Sequence, residues 1–236
     1  MSERTAGELE HARAVRAMFS GIAGKYDLLN HLLSVNIDKR WRRKVRAELG
    51  PIVEDPNSII LDVACGTGDL SIELKRESPA KVIGTDFCRP MLAVAHGKAD
   101  NIPFVEGDAM NLSYGNNSFD AVTIAFGLRN LSNFADGLRE LHRVLKPGGK
   151  LVVLEFSSPI VPGFRQLFNF YFARILPRIG GMVTGERGAY EYLPDSVSKF
   201  PNQKRLAKMF EDTGFTGVKF TNLTGGIAAI HSGIKS

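Results

Sequence analysis

Three segments of the sequence end in residues that could bind a small polar ligand. In Asp62-Val63-Ala64-Cys65-Gly66-Thr67-Gly68, a Gly-x-Gly pair follows an apolar run. Glycine lets the backbone turn sharply and lets a ligand approach closely. Asp86 lies 24 residues after Asp62 and could accept two hydrogen bonds from ribose hydroxyls. In Glu106-Gly107-Asp108-Ala109, Asp108 could bind an adenine amino group while the Ala109 N–H is offered to a ring nitrogen.

A Gly-x-Gly pair by itself is compatible with a dinucleotide site, a phosphate loop or a plain turn. Position 71 is Ser, so the third glycine of the dinucleotide fingerprint is missing, and no Gly-Lys-Ser/Thr follows. Asp62 would also disfavour a nearby pyrophosphate. These details favour a cationic nucleoside cofactor without phosphates, and S-adenosylmethionine fits them. A lone Asp is most often a loop cap, but three at consecutive strand ends favour cofactor binding by Gly66, Asp86, Asp108 and Ala109.

The elements that must position these residues alternate between apolar strands and helices. We predict strands over residues 58–63, 81–86, 102–106, 119–124 and 150–156, and helices over residues 69–77, 90–98 and 134–145. Strands separated by helices imply an α/β, doubly wound, mostly parallel sheet. The C-terminal ends of its strands share one edge, and ligands bind in the crevice outside that edge.

Both ends of the chain add further elements. Residues 1–50 are expected to form an N-terminal helical cap, with helices over 8–19, 24–33 and 38–49. Residues 51–236 are expected to form the main domain, with an aromatic helical insertion near 160–200 whose helix spans 162–180. A further helix over 201–213 and closing strands over 215–221 and 226–234 bring the predicted sheet to seven strands.

The composition is that of a soluble globular protein, with 44% hydrophobic and 23% charged residues among 236. The net charge of +5 is unevenly distributed, because residues 1–50 carry +4, residues 51–158 carry −4 and residues 159–236 carry +5. The acidic middle suits a cationic ligand, and the basic ends suggest an anionic partner. Two cysteines and no apolar run of 18 residues predict a cytoplasmic protein. We see no cluster with metal-ligand spacing and predict no metal.

Three motifs carry a resemblance to a known family. Tyr26-Asp27-x-x-Asn30-x-x-Leu33-Ser34, followed by Trp41, is similar to an N-terminal signature, although Leu29 replaces the usual Met and Asp38 the usual His. Arg143-Val144-Leu145-Lys146-Pro147-Gly148-Gly149-x-Leu151-x-x-Leu154-Glu155-x-Ser157 is similar to a second signature, and Phe126-Gly127-Leu128-Arg129-Asn130 is also typical. Over roughly residues 13–235, the chain therefore resembles the class I methyltransferases and, more narrowly, the ubiquinone/menaquinone-biosynthesis C-methyltransferase family.

The resemblance implies a Rossmann-like fold and S-adenosylmethionine-dependent methylation of a ring carbon in a polyprenylated hydroquinone. Demethylmenaquinol is the first expectation, and a ubiquinone-pathway benzoquinol is the alternative. A more distant alternative is an RNA or other small-molecule methyltransferase, although no nucleic-acid partner is expected, because the basic segments lack interleaved base-stacking aromatics. Family cofactor contacts carry over to Thr67, Asp86, Asp108 and Ala109. Ala125 departs from the pattern, because some members have a Ser contact at that position.

Methyl transfer to a ring carbon requires a neighbouring phenol to lose its proton. We predict that Arg129 stabilises the developing negative charge and that Asn130 orients the substrate or a water. Tyr26 and Asp27 are expected to close over the site, with Asp27 accepting the phenolic proton. A surface arginine at a helix start is the competing interpretation of Arg129, and a helix cap that of Asp27.

Two features suggest contact with a membrane or with a lipid tail. Six of the eight residues from Lys39 to Arg46 are basic, which indicates either a solvated helix face or contact with anionic lipid. The helix over 162–180 is unusually aromatic and could pack on the sheet, admit a lipid tail or lie on a bilayer. We therefore expect the protein in the cytoplasm, with peripheral contact at the inner face of the membrane as an additional hypothesis. A homo-oligomer is compatible with the sequence.

Overall fold

A seven-stranded sheet forms the centre of the computed structural model, which describes residues 4–28, 34, 36–157, 159–160 and 187–236, with side chains from residue 192 onward in the last range. The strands are β1 Ile59–Val63, β2 Lys81–Asp86, β3 Phe104–Glu106, β4 Phe119–Ala125, β5 Leu145–Phe156, β6 Phe215–Leu223 and β7 Ala228–Lys235. Their order is β3-β2-β1-β4-β5-β7-β6. Strands β1 to β5 are parallel, and β7 is antiparallel to both of its neighbours. The predicted doubly wound, mostly parallel fold is confirmed.

Helices connect and cover the strands. They are α1 Ala6–Ile22, α2 Ile37–Leu49, α3 Asp69–Lys75, α4 Arg89–Lys98, α5 Phe134–Val144, α6 Arg187–Lys199 and α7 Gln203–Thr213. Helix α1 begins with a capping box, in which the Thr5 side chain accepts the Glu8 N–H and the Glu8 carboxylate accepts the Thr5 N–H. The side chain of Asn133 caps the start of α5. None of the described helices combines the length and the apolar character needed to cross a membrane.

Apolar side chains cover both faces of the sheet. In β5, Val152 and Leu154 pack with Trp41 of α2 on one face, whereas Leu151 and Val153 pack with Leu141 of α5 on the other. This alternation follows from the two-residue period of a strand. Because both faces are covered, β5 is apolar at successive positions, as is typical of a central strand.

The observed boundaries differ from the predicted ones mainly at β5. The strand begins at Leu145, because Leu145 pairs with Phe119 of β4 and the Ser118 N–H donates to the carbonyl of Val144. The predicted stop at Lys146-Pro147-Gly148-Gly149 therefore lies inside an irregular strand, where Gly148 has a φ of +77°. The predicted aromatic helix over 162–180 and the end of the predicted helix over 24–33 lie outside the described residues. The division at residue 50 stays a prediction.

Candidate active site

The predicted cofactor residues meet at the C-terminal edge of β1, β2, β3 and β4, where the strand order reverses between β1 and β4. A cavity of about 760 Å³, including its open mouth, lies there. The candidate residues that line it are Tyr26, Gly66, Asp86, Asp108, Ala109 and Asn130. Of the other candidates, Thr67, Asp27 and Arg129 lie outside this lining.

The glycine turn after β1 keeps the floor of the cavity open. Gly66 and Gly68 have φ values of +55° and +82°, which L residues rarely adopt. A Cβ atom on Gly68 would lie 2.8 Å from Cζ of Phe104, so this position has no room for a side chain. At Gly66, the nearest atom to such a Cβ is Cε1 of Tyr26, at 3.9 Å. Gly66 and Tyr26 therefore lie next to each other, and both line the cavity.

Asp86 joins the ends of β1 and β2. Its two carboxylate oxygens accept the N–H groups of Gly66 and Cys88, both at 2.8 Å. Burial raises the pKa of Asp86 even though these backbone hydrogen bonds work in the opposite direction. Each carboxylate oxygen can accept two hydrogen bonds. Asp86 therefore retains acceptor capacity on the cavity wall, as ribose binding would require.

Asp108 lies at the other end of the cavity, beside Ala109. One oxygen accepts the Met110 N–H at 2.9 Å, and the other lies 2.6 Å from Nη1 of Arg4. Burial acts to raise the pKa of Asp108, but the hydrogen bonds from Arg4 and Met110 outweigh it and lower the pKa. Asp108 is therefore held as an ionised acceptor. Arg4 was not predicted as a site residue, because a partner so distant in the chain leaves no signal in the local sequence pattern.

Asp62 lies under the glycine turn and does not line the cavity. Its side chain is 1% exposed and accepts hydrogen bonds from the hydroxyls of Ser71 at 2.6 Å and Thr123 at 2.8 Å. Burial is the largest cause that raises the pKa of Asp62, to about 6, and the charge of Asp86 adds to it. Asp62 therefore contributes negative charge below the site.

Thr67 and Asp27 contact each other. The Thr67 hydroxyl donates to the Asp27 carboxylate, whose second oxygen lies 2.7 Å from Nζ of Lys98. Lys98 also pairs with Asp69 at the start of α3, and Asp69 pairs with Arg42 of α2 at 3.0 Å. This network ties the chain after α1 to the glycine turn. Asp27 therefore has two partners, Thr67 and Lys98, and its role as acceptor of the phenolic proton stays a prediction.

Arg129 is buried in an ion pair that the sequence analysis missed. Its Nη1 lies 2.7 Å from Oε1 of Glu155 in β5, and the two side chains are 6% and 1% exposed. The same nitrogen donates to the carbonyl of Phe126, and the guanidinium lies over the ring of Phe156. Arg129 was expected to supply a positive charge to the substrate, but Glu155 neutralises this charge within the protein. An acidic residue inside the apolar run of β5 is the signal that could have revealed Glu155.

Asn130 lies on the cavity wall and is fixed by three elements. Its side-chain N–H donates to the carbonyl of Phe126 at 3.2 Å, and its side-chain oxygen accepts the hydroxyl of Tyr192 at 3.1 Å. Nε2 of His11 in α1 lies 3.1 Å from the Asn130 carbonyl oxygen. Tyr192 and His11 were not predicted as site residues. Tyr192 holds the side-chain amide of Asn130, and His11 holds its backbone carbonyl.

Two non-glycine residues at the site have strained backbones. Ala64 after β1 and Phe126 after β4 have φ values of +51° and +56°, and both line the cavity. The two chain segments lie very close, since a Cβ on Gly127 would be 2.6 Å from Cβ of Ala64. Strained positions of this kind cluster at functional sites.

Comparisons with known proteins identify one family over nearly the whole chain. A model of the ubiE/COQ5 methyltransferase family matches residues 7–235. A demethylmenaquinone methyltransferase of Deinococcus radiodurans is 48% identical over 231 residues, which cover 96% of this chain and 94% of that protein. A protein of the same name from Thermus thermophilus is 48% identical over 92% of this chain and 99% of its own length. The ubiquinone/menaquinone biosynthesis C-methyltransferase UbiE of a Geobacter species is 43% identical, with shares of 96% and 98%.

Solved structures share the fold. A putative methyltransferase in complex with the Trm112 activator of Haloferax volcanii superposes with a TM-score of 0.67 at 16% identity, covering 92% of this chain and 96% of that one. A possible histamine N-methyltransferase of Thermotoga maritima gives a TM-score of 0.59 at 18% identity, with shares of 93% and 100%.

Proposed function

Because the chain belongs to the ubiE/COQ5 methyltransferase family, we propose that it methylates a ring carbon of a polyprenylated hydroquinone, with demethylmenaquinol as the first substrate to test. The observation that carries the proposal is the near full-length similarity, at 48% identity, to two proteins named demethylmenaquinone methyltransferase. A ubiquinone-pathway benzoquinol is the second candidate, since a relative at 43% identity is named for both pathways.

The methyl donor of this methyltransferase is S-adenosylmethionine. The cavity suits it, because two carboxylates with remaining acceptor capacity flank an open glycine backbone. We propose that Asp86 accepts the ribose hydroxyls, that Asp108 and the Ala109 N–H bind adenine, and that the methionine moiety lies against Gly66. We propose that Thr67 acts on the cofactor through the shape of the turn, since its hydroxyl binds Asp27.

When bound, the sulfonium of the cofactor supplies an electrophilic methyl group. The chain must place the substrate ring in line with the carbon–sulfur bond and exclude water, and positioning alone can lower a barrier by about 7–11 kcal/mol in the best cases. Phe19, Tyr26 and Phe126 provide aromatic walls of the cavity, and Phe19 and Tyr26 pack edge to face at 5.9 Å. We propose that Asn130, whose amide is fixed on the same wall, binds a phenol oxygen or a water that removes the phenolic proton.

Arg129 enters this proposal as a positioning residue. It binds the carbonyl of Phe126, to which Asn130 also donates, and Glu155 compensates its charge. Arg129 thereby holds the strained turn that presents Asn130 to the substrate. Asp27 holds the glycine turn from the opposite side through Thr67.

The test is a methyl-transfer assay with purified protein, labelled S-adenosylmethionine and reduced demethylmenaquinone, with the demethylated benzoquinol and RNA in parallel. We expect label in the menaquinol product. Arg129→Ala should retain cofactor binding and lose most of its turnover, whereas Arg13→Ala, which removes an exposed arginine of α1, should match the parent protein. Label in RNA, or in no product while the cofactor binds, would refute the proposed substrate.

We also propose that the basic face of α2 contacts anionic lipid. The six basic residues from Lys39 to Arg46 divide into two groups, because Arg42 pairs with Asp38 and Asp69, and Arg46 binds the carbonyl of Arg76. The four that are exposed are Lys39, Arg40, Arg43 and Lys44. Each basic residue near an anionic membrane contributes about 1 kcal/mol. Binding to anionic liposomes should fall with added salt and with charge-neutral substitutions at these four positions, and salt-independent binding would refute this role.

A further inference from the structure

The ion pair between Arg4 and Asp108 lies at the adenine end of the cavity, although the two residues are far apart in the sequence. Nη1 of Arg4 is 2.6 Å from Oδ2 of Asp108, and the Arg4 side chain is 22% exposed. Both residues line the cavity. The N-terminal residues therefore contribute to the wall against which the nucleoside would lie.

Arg4 is held in this position by the start of α1. It directly precedes Thr5, whose main chain and side chain are both engaged in the capping box with Glu8. A capping box engages both the backbone N–H and the side chain of the N-cap residue, so Thr5 is fixed at the helix start. Arg4 therefore directly precedes a fixed position of the chain.

The pair leaves a nitrogen of Arg4 without an acceptor and leaves acceptor capacity on Asp108. Asp108 accepts hydrogen bonds from Met110 and Arg4, and a carboxylate can accept about four. Nη2 of Arg4 is buried and has no hydrogen-bond partner among the described residues. A buried donor without a partner is unfavourable, and such groups are uncommon in native proteins. A ligand that carries a hydrogen-bond acceptor beside a hydrogen-bond donor would satisfy both residues. The acceptor would bind Nη2 of Arg4, and the donor would bind Asp108.

We propose that Arg4 is a cofactor-binding residue that recognises adenine together with Asp108. Asp108 accepts a hydrogen bond from the exocyclic amino group, and Nη2 of Arg4 donates to one of the two ring nitrogens that flank this group. The Ala109 N–H serves the other. The proposal depends on the cofactor and is independent of the methyl acceptor.

The experiment measures binding of S-adenosylhomocysteine by isothermal titration calorimetry, with no hydroquinone present. Loss of a charge-assisted hydrogen bond predicts that Arg4→Ala raises Kd roughly ten- to hundredfold. Arg4→Lys retains the charge beside Asp108 but lacks the fork of donors, so its Kd should lie between those of Arg4→Ala and the parent. Arg13→Ala is the matched control, and its Kd should equal that of the parent. An Arg4→Ala variant that binds as tightly as the parent, or more tightly, would overturn the proposal.

Analogues of the ligand identify the contact itself. In 1-deaza- and 7-deaza-S-adenosylhomocysteine, a carbon replaces one of the nitrogens that flank the amino group. Both analogues should bind the parent protein about tenfold more weakly than the natural ligand, because each lacks one accepted hydrogen bond. Arg4→Ala should retain the loss for the analogue that lacks the nitrogen bound by Ala109 and show no loss for the other. Equal losses in both proteins with both analogues would show that Arg4 acts only on Asp108 and would overturn the assigned contact. If the parent fails to bind S-adenosylhomocysteine at all, the cofactor assignment fails before the question of Arg4 arises.

Discussion

Asp62→Asn should make the protein more stable relative to the parent as the pH rises. The parent carboxylate is 1% exposed, and burial is the main cause that raises its pKa from 3.8 to about 6. A raised pKa means that the folded state binds the proton more tightly than the unfolded chain does. The stabilising contribution of this group is therefore complete below pH 3.8 and is lost as the pH rises through 6.

The magnitude follows from the two pKa values. One pKa unit corresponds to about 1.4 kcal/mol, so the full change in unfolding free energy is about 3 kcal/mol. Between about pH 4.5 and about pH 7.5, linkage gives about 2 kcal/mol of this change. Asparagine keeps the shape, and its amide can still bond to the hydroxyls of Ser71 and Thr123. The variant lacks the titration, so its stability relative to the parent should increase by about 2 kcal/mol over this range.

Urea unfolding at a series of pH values measures the effect, and Trp41 is a suitable fluorescence probe because it is the single tryptophan and is 6% exposed. Asp120→Asn is a control with the opposite sign. Burial acts to raise the pKa of Asp120, but the hydrogen bonds from Lys146 and the Ile59 N–H outweigh it and lower the pKa. This variant should lose stability relative to the parent near neutral pH and recover as the pH falls below about 4. A difference between Asp62→Asn and the parent that is constant with pH would refute the reasoning.

Three further substitutions test the site. Glu155→Gln leaves the charge of Arg129 buried without its partner, so the free energy of unfolding measured in urea should fall by about 3–5 kcal/mol. A decrease below about 1 kcal/mol would mean that the pair is not buried in solution. Gly68→Ala puts a side chain at a φ of +82° and against Phe104, so it should lower the free energy of unfolding by about 1–2 kcal/mol or more and weaken cofactor binding. Unchanged values in both measurements would contradict the geometry of this turn. Lys98→Ala removes the cation that joins Asp27 to Asp69 beside the glycine turn. Calorimetry should show a modest increase in the Kd of S-adenosylhomocysteine, below about tenfold, and an unchanged Kd would argue against this network.

The fold and the position of Asp86 and Asp108 on one cavity could be predicted from the sequence because their signals are local. An apolar run followed by Gly66 and Gly68 identifies a strand and its turn without knowledge of the rest of the chain. Parallel strands then bring their C-terminal ends to one edge, so Asp86 and Asp108 could be placed together from topology alone. The predicted start of β5 lies later in the chain than the observed one, because the pairing of Leu145 with Phe119 is not visible in a local pattern.

The surroundings of Arg129 and Asn130 could not be predicted in the same way, since their partners are distant in sequence. Arg129 was expected to face the substrate, but Glu155 lies on the neighbouring strand and binds it. Asn130 depends on Tyr192, which is 62 residues away, and on His11, which is 119 residues away. A charged residue in a loop pattern carries no information on whether its charge is already compensated.

The net charge of a segment of this protein does not show how many of its basic residues are available at the surface. The six basic residues of α2 form one run in the sequence, but Arg42 and Arg46 are engaged within the protein and only four remain at the surface. Arg4 also belongs to the basic N-terminal segment, yet it pairs with Asp108 in the acidic middle. The basic N-terminal segment and the acidic centre are therefore coupled through individual ion pairs at the site. An anionic surface can act only on the basic residues that these pairs leave exposed, so substitutions at those positions, and not the net charge, must decide whether the protein binds a membrane.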